Sequence, residues 1–146
     1  MRKSLIAANW KMNLSFEEVL SFIKSFQDFK FDNNKTEVLI APPFIYLQEV
    51  KKMLTKINKK IMVAAQNIHF ESSGAFTGEI SADMLKSVGV EWTIIGHSER
   101  RVYFGETDSI INKKVNKALE NGLNIILCVG EQLFEREAGI EKELVI

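Results

Sequence analysis

Short, continuous apolar runs recur along the chain, and between them apolar residues return every three or four positions. The runs fall at residues 5–8, 38–41, 61–65, 92–95 and 125–129. They lack the polar alternation of a half-wet strand, so they predict strands buried on both faces. The intervening stretches predict amphipathic helices. Ser15 and Glu18 form a capping-box pattern ahead of Phe16, Val19, Leu20, Ile23 and Phe26. Leu47, Val50 and Leu54 mark a second helix, with Lys51, Lys52 and Lys56 on its wet face. Ser81 caps a short helix holding Met84, Leu85 and Val88, which Gly89 ends. Asp108 is the expected cap of a helix that buries Ile111, Val115 and Leu119 and stops near Gly122. Asn33, Asn34 and Lys35 read as a turn, and Pro42 with Pro43 stops the second strand. Residues 131–146 look helical but highly charged. Residues 66–80, with Gly74 and Gly78, have no clear period, and so long a loop in a compact domain is usually functional or part of an interface.

Strands alternating with helices at this spacing imply an α/β fold with a parallel sheet and right-handed crossovers. Periodicity leaves two closures open. One is a five-stranded doubly wound sheet; the other is about five units of a (β/α)8 barrel, a fold that usually takes about 250 residues. No Pro/Gly/Ser-rich linker or low-complexity tract interrupts residues 1–146, so a single domain is expected.

Composition narrows the function classes. The 146 residues are 46% hydrophobic and carry 19 basic and 19 acidic side chains, for a formal net charge of zero. That balance argues against nucleic acid or an anionic membrane surface as the main partner. No apolar run approaches the roughly 18 residues of a membrane span. The segment Met1 to Ala8 has only a short apolar part with Lys11 close behind, unlike a secretory leader. A single cysteine, Cys128, cannot build a disulfide framework and suits a reducing compartment, so a cytoplasmic protein is expected. Cys128 lies in an apolar run and reads as core packing.

The candidate chemistry gathers where predicted strands end. His97 follows Gly96 directly after the fourth strand, just before a predicted helix start, and catalytic residues of α/β folds commonly occupy that end of their strands. A helix amino terminus carries about half a positive charge, which disfavours imidazolium and favours a neutral ring able to donate a hydrogen bond. Spacing alone fits a satisfied loop histidine equally well. Gly96, His97, Ser98, Glu99 and Arg100 resemble a nucleophile elbow, but Arg100 stands where the sharp turn needs a small residue, so Ser98 is not expected to be a nucleophile. Asn9 and Lys11 follow the first strand; if the chain is still extended there, both face one side. Ordinary solvation of a strand end would also explain them. The other histidine, His69, reads as a solvated loop residue, so no metal site is expected. No dinucleotide or P-loop glycine motif is present.

Four blocks taken together resemble the triosephosphate isomerase family. They are Asn9-Trp10-Lys11-Met12-Asn13, Gly74-Ala75-Phe76-Thr77-Gly78-Glu79-Ile80-Ser81, Gly96-His97-Ser98-Glu99-Arg100-Arg101 and Cys128-Val129-Gly130-Glu131, in the family's order. The resemblance runs from about residue 4 to the last residue and implies an incomplete TIM barrel. It also implies an enzyme of glycolysis and gluconeogenesis that interconverts dihydroxyacetone phosphate and glyceraldehyde 3-phosphate through an enediolate, without cofactor or metal. His97 is similar to the family's electrophile, Lys11 to the cation that offsets developing charge, and Asn9 to a substrate-binding donor. Glu99 resembles the acid beside them, with a Lys11 contact expected. The family is itself the standard example of an imidazole kept neutral at a helix amino terminus, so the argument about His97 is not independent of the likeness. Gly74, Thr77 and Gly78 resemble the interdigitating loop of a homodimer, and Met12 and Gln66 the pocket that receives it.

The family's catalytic glutamate, lid and phosphate-binding backbone follow its sixth strand, beyond the last residue here. None of Glu131, Glu135, Glu137, Glu141 or Glu143 sits in that glutamate's motif. The expectation is therefore the amino-terminal part of a longer enzyme, inactive when alone. The alternatives are a non-catalytic half-barrel interaction module pairing through residues 66–80, or a doubly wound binding domain whose likeness is accidental.

Overall fold

The computed structural model describes residues 3–57 and 60–145; Met1, Arg2 and Ile146, which the sequence reading touched, lie outside them. Five parallel strands form one sheet: β1 (Ser4–Asn9), β2 (Thr36–Ala41), β3 (Ile61–Ala65), β4 (Trp92–Ile95) and β5 (Asn124–Leu127). Their spatial order is their sequence order. The helices are α1 (Phe16–Ser25), α2 (Leu47–Lys56), α3 (Ala82–Ser87), α4 (Ser98–Phe104), α5 (Asp108–Glu120), α6 (Leu133–Glu137) and α7 (Glu141–Val145).

Which face each strand residue takes decides between the two closures. Val38 and Ile40 of β2, Ile61, Val63 and Ala65 of β3 and Ile95 of β4 pack with Val19 and Ile23 of α1, Val50 and Leu54 of α2, Leu85 of α3 and Ile111 and Ala118 of α5. The alternate residues, Leu39, Ala41, Ala64 and Ile94, form a second cluster with Met62, Trp92, Ile126 and Cys128, which no helix joins. Helices therefore cover one face only, and the strand order never reverses. A doubly wound sheet needs helices on both faces and a switch in strand order. The chain is a curled, incomplete (β/α) barrel whose inner cluster is the start of a barrel interior.

The predicted elements hold, with corrections at particular residues. The capping box at α1 is present: Glu18 N–H donates to Ser15 Oγ and Ser15 N–H to Glu18 Oε2. The cap of α5 is Thr107 rather than Asp108, because the Thr107 hydroxyl accepts from Ile110 N–H while Asp108 already belongs to the helix. The inward stripe of α5 is Ile111, Lys114 and Ala118, with Leu119 exposed, so the buried face is rotated from the apolar spacing to admit a lysine. Met84 of α3 is also exposed. The charged tail breaks into α6 and α7 around Gly139, whose φ is +71°. β5 is not buried on both faces, with Leu127 and the following Val129 48% and 65% exposed, and neither is β1, where Leu5 and Ile6 are 41% and 59% exposed. It is hydrogen-bonded only to β2, and an edge strand has one open side.

Candidate functional site

The site lies at the carboxyl ends of β1, β3 and β4. β1 delivers Asn9, in register with Ala41, which places Asn9 on the inner face of the sheet. Trp10 N–H then donates to Ala41 O at 3.1 Å. The next residue does not continue the strand, because Lys11 has φ +55°. The expectation that Asn9 and Lys11 face one side through extended chain is thus corrected: the backbone enters the left-handed region at Lys11 itself. For a non-glycine residue that conformation costs on the order of 1–2 kcal/mol. The turn is held by Lys11 N–H donating to Asn9 Oδ1 at 3.0 Å. From it, Lys11 Nζ reaches Glu99 Oε1 at 2.8 Å, across 88 residues of sequence. This is the contact the resemblance led us to expect.

β4 delivers His97. Gly96 turns the chain with φ +77°, and a Cβ there would come within 3.0 Å of Cys128 O, so glycine answers both the backbone angle and the close approach of β5. Arg101 ties the turn from below, its Nε donating to Gly96 O at 3.0 Å and its Nη1 to Asp108 Oδ1 at 2.6 Å. His97 is the cap of α4: its Nδ1 accepts from Glu99 N–H at 3.2 Å. An imidazole nitrogen that accepts carries no proton, so Nε2 is the ring donor. Glu99 Oε2 lies 3.5 Å from the same Nδ1. The hydrogen bond from Lys11 holds the Glu99 carboxyl below the usual carboxylate range, against a smaller upward push from burial, with the Lys11 charge adding to the lowering. His97, Glu99 and Lys11 thus form one connected group, which Asn9 joins by accepting from Lys11 N–H.

Gln66, directly after β3, bridges the strand ends: its Nε2 donates to Lys11 O and to Ala41 O, each at 2.9 Å. Met12 is 96% exposed. Gly74, Thr77 and Gly78 lie at the exposed tip of the 66–80 segment. That segment is anchored at its root, where Ile68 is fully buried and His69 N–H donates to Ile80 O at 2.8 Å. His69 is not a solvated loop residue: its ring lies against Phe70 and Phe76, with centroids 4.3 and 4.4 Å away, and its Nδ1 accepts from Glu71 N–H at 3.1 Å. Cys128 is half-buried against the inner cluster, and burial pushes its thiol up, against a smaller opposing pull from Arg101. Among the described residues, no three His, Cys, Asp or Glu side chains gather as metal ligands. No helix among them is long and apolar enough to cross a membrane.

The sequence reading missed a buried polar network behind α4. Lys114 Nζ donates to Glu106 Oε1 at 2.6 Å and to Asn67 Oδ1 at 2.8 Å, with Lys114, Glu106 and Asn67 only 3%, 6% and 4% exposed. Arg100 Nε also donates to Glu106 Oε1, and its guanidinium lies over the Phe104 ring. Burial pushes the Glu106 carboxyl up, but the hydrogen bonds and charges of Lys114 and Arg100 outweigh it and leave it below the usual range. Burial draws the Lys114 ammonium below the usual lysine range, and Glu106 offsets that only in part. The available signal was a lysine three residues after Ile111 and four before Ala118, inside the apolar stripe of α5.

The family model for triosephosphate isomerase matches residues 4–146. A triosephosphate isomerase of Alkaliphilus metalliredigens is 55% identical over 94% of this chain and 54% of the relative. One from Alkaliphilus oremlandii is 49% identical over 99% of this chain and 59% of the relative. One from Carboxydothermus hydrogenoformans is 50% identical over 99% of this chain and 57% of the relative. The chain thus spans little more than half the length of these relatives.

Proposed function

We propose that this chain, which belongs to the triosephosphate isomerase family, supplies the electrophilic part of a site that interconverts dihydroxyacetone phosphate and D-glyceraldehyde 3-phosphate. The observation that carries the reading is the linked group His97, Glu99 and Lys11, gathered from two strand ends with the Lys11 backbone bent to reach it. The reaction moves a proton between adjacent carbons. A base removes a proton beside the substrate carbonyl, and the electron pair moves onto the carbonyl oxygen to give an enediolate. His97 Nε2–H donates to that oxygen and then to its neighbour as the hydroxyl proton passes from the neighbour to the former carbonyl oxygen, the double bond shifts, and the base returns its proton to the former carbonyl carbon. A positioned donor of this kind typically lowers a barrier by about 3–4 kcal/mol. The Lys11 ammonium offsets the growing negative charge, and Asn9, whose Oδ1 is occupied by Lys11 N–H, turns its amide nitrogen toward the substrate. Glu99 holds Lys11 in place between turnovers. The base is expected in the part of the family's length that these residues do not cover.

Proton transfer beside a carbonyl needs no redox cofactor. We further propose a homodimer in which the tip of residues 66–80, with Gly74, Thr77 and Gly78, docks on the partner near Met12, and a cytoplasmic place in glycolysis and gluconeogenesis. The test of the activity joins residues 1–146 to the remaining three βα units of the Alkaliphilus metalliredigens relative and follows isomerisation in a coupled assay. Turnover that Lys11→Met lowers sharply without erasing it is expected. A folded, soluble hybrid with no turnover, or one indifferent to Lys11→Met, would overturn the assignment.

A further inference from the structure

We infer that Gln66 is a positioning residue for Lys11: its side-chain amide fixes the left-handed backbone turn that aims the Lys11 ammonium at Glu99 and into the site. This inference rests on the isomerase reading above.

Lysine has no short polar side chain with which to stabilise a left-handed backbone, as asparagine or aspartate does, so the φ of +55° at Lys11 must be imposed from outside. Both polar groups of Lys11's own backbone are taken. Its N–H is held within the same turn by Asn9 Oδ1. Its carbonyl is held at 2.9 Å by Gln66 Nε2, 55 residues further along the chain. The NH2 group of glutamine has two hydrogens. The second goes to Ala41 O, again at 2.9 Å. Ala41 is fully buried at the end of β2, and its carbonyl also receives Trp10 N–H. One amide nitrogen therefore pins the turn after β1 to the carboxyl ends of β2 and β3. Its own support is rigid, because Gln66 follows Ala65, the fully buried last residue of β3.

The geometry also separates Gln66 from the groups that meet substrate. Both of its N–H hydrogens are committed to backbone carbonyls, so as a donor it acts through Lys11 rather than on a ligand. The two bonds lie within one chain. The role holds whether or not Gln66 also borders a docked partner loop. Without the clamp, the Lys11 carbonyl is free to rotate, the residue relaxes toward negative φ, and the Cα–Cβ direction that carries Nζ to Glu99 is lost.

The experiment uses the isomerisation-competent hybrid described above. A misplacement of about 1 Å at a site can cost on the order of a hundredfold in rate. Gln66→Ala is expected to lower kcat/KM by about ten- to a hundredfold, mostly in kcat. In a Lys11→Ala background the same change should alter kcat/KM by less than about twofold, because its target is already gone. An equal loss in both backgrounds would show a general structural role and overturn the inference. A crystal structure of the Gln66→Ala protein gives a readout independent of activity. The inference predicts Lys11 at negative φ with its Nζ withdrawn from Glu99, and an unchanged turn would refute it. If the parent hybrid does not isomerise trioses, the functional reading fails while the crystallographic comparison still decides the clamp.

Discussion

Replacing Lys114 by methionine keeps most of the aliphatic stem and removes the ammonium from a site where that residue is 3% exposed. Two partners are then left behind. Glu106, 6% exposed, keeps only the Arg100 guanidinium, and its Oε2 already has no partner among the described residues. Asn67 Oδ1 loses the donor that sat 2.8 Å away. Stranding a buried charge by removing its partner typically costs about 3–5 kcal/mol, and leaving a neutral buried acceptor unsatisfied adds about 1 kcal/mol. Arg100 remains in contact with Glu106, so the lower end of the first range applies and about 4 kcal/mol is expected in all. Against a total stability of about 5–15 kcal/mol, that is a large loss. Urea unfolding of the longer hybrid, followed by circular dichroism at one fixed protein concentration, reads the shift in midpoint. The neighbouring Lys113→Met is the control. Lys113 is exposed and lies 5.3 Å over the Phe70 ring, a contact worth about 0.5–1 kcal/mol. The double change Lys114→Met with Glu106→Leu removes the stranded charge as well, and should cost clearly less than the sum of the single changes. A Lys114→Met cost below about 1 kcal/mol, or strict additivity with Glu106→Leu, would refute the view that these charges hold one another.

Acid should also weaken the fold in a definite window. The carboxyls of Glu106 and Glu99 are held below the usual value of 4.5, so between the folded and unfolded pKa the unfolded chain binds more protons; the stability they contribute is complete above about pH 4.5 and falls as pH drops through their folded values. Urea midpoints measured from pH 6 down to pH 3 should decline, and Glu106→Gln should flatten that decline. Thr77→Arg at the tip of the 66–80 segment is expected to give monomers with reduced activity, and a sedimentation profile and turnover equal to the parent would count against docking by that segment.

The strands and helix faces were legible because parallel strands covered on both sides read as unbroken apolar runs, and helices announce their buried stripe every three or four residues. That logic failed at β1. Leu5 and Ile6 have the composition of covered residues but sit on an edge strand. It failed again at α5, where charge pairing with Glu106 overrides the apolar stripe and buries Lys114 instead of Leu119. His97, Lys11, Asn9 and Glu99 were legible through a family likeness, not through spacing. The turn at Lys11 defeats the simple argument that alternate residues of an extended chain face one way. The Gln66 clamp and the Lys114–Glu106–Asn67 network could not be read from the sequence. Each joins residues brought together only by strand register and helix docking, 55 and 47 positions apart in the longest links.

The role proposed for His97 is to act on the reacting oxygens rather than on ground-state binding. It is tested most directly by the kinetics of His97→Gln in the isomerising hybrid. Glutamine still offers an N–H, but on a flexible amide that cannot reproduce a ring whose Nδ1 is fixed by Glu99 N–H. The account predicts that kcat falls by about a hundredfold or more while KM changes by less than about threefold, the pattern of an interaction made chiefly in the transition state. A His97→Gln enzyme with unchanged kcat and a raised KM would contradict it, because the ring would then serve only to bind substrate.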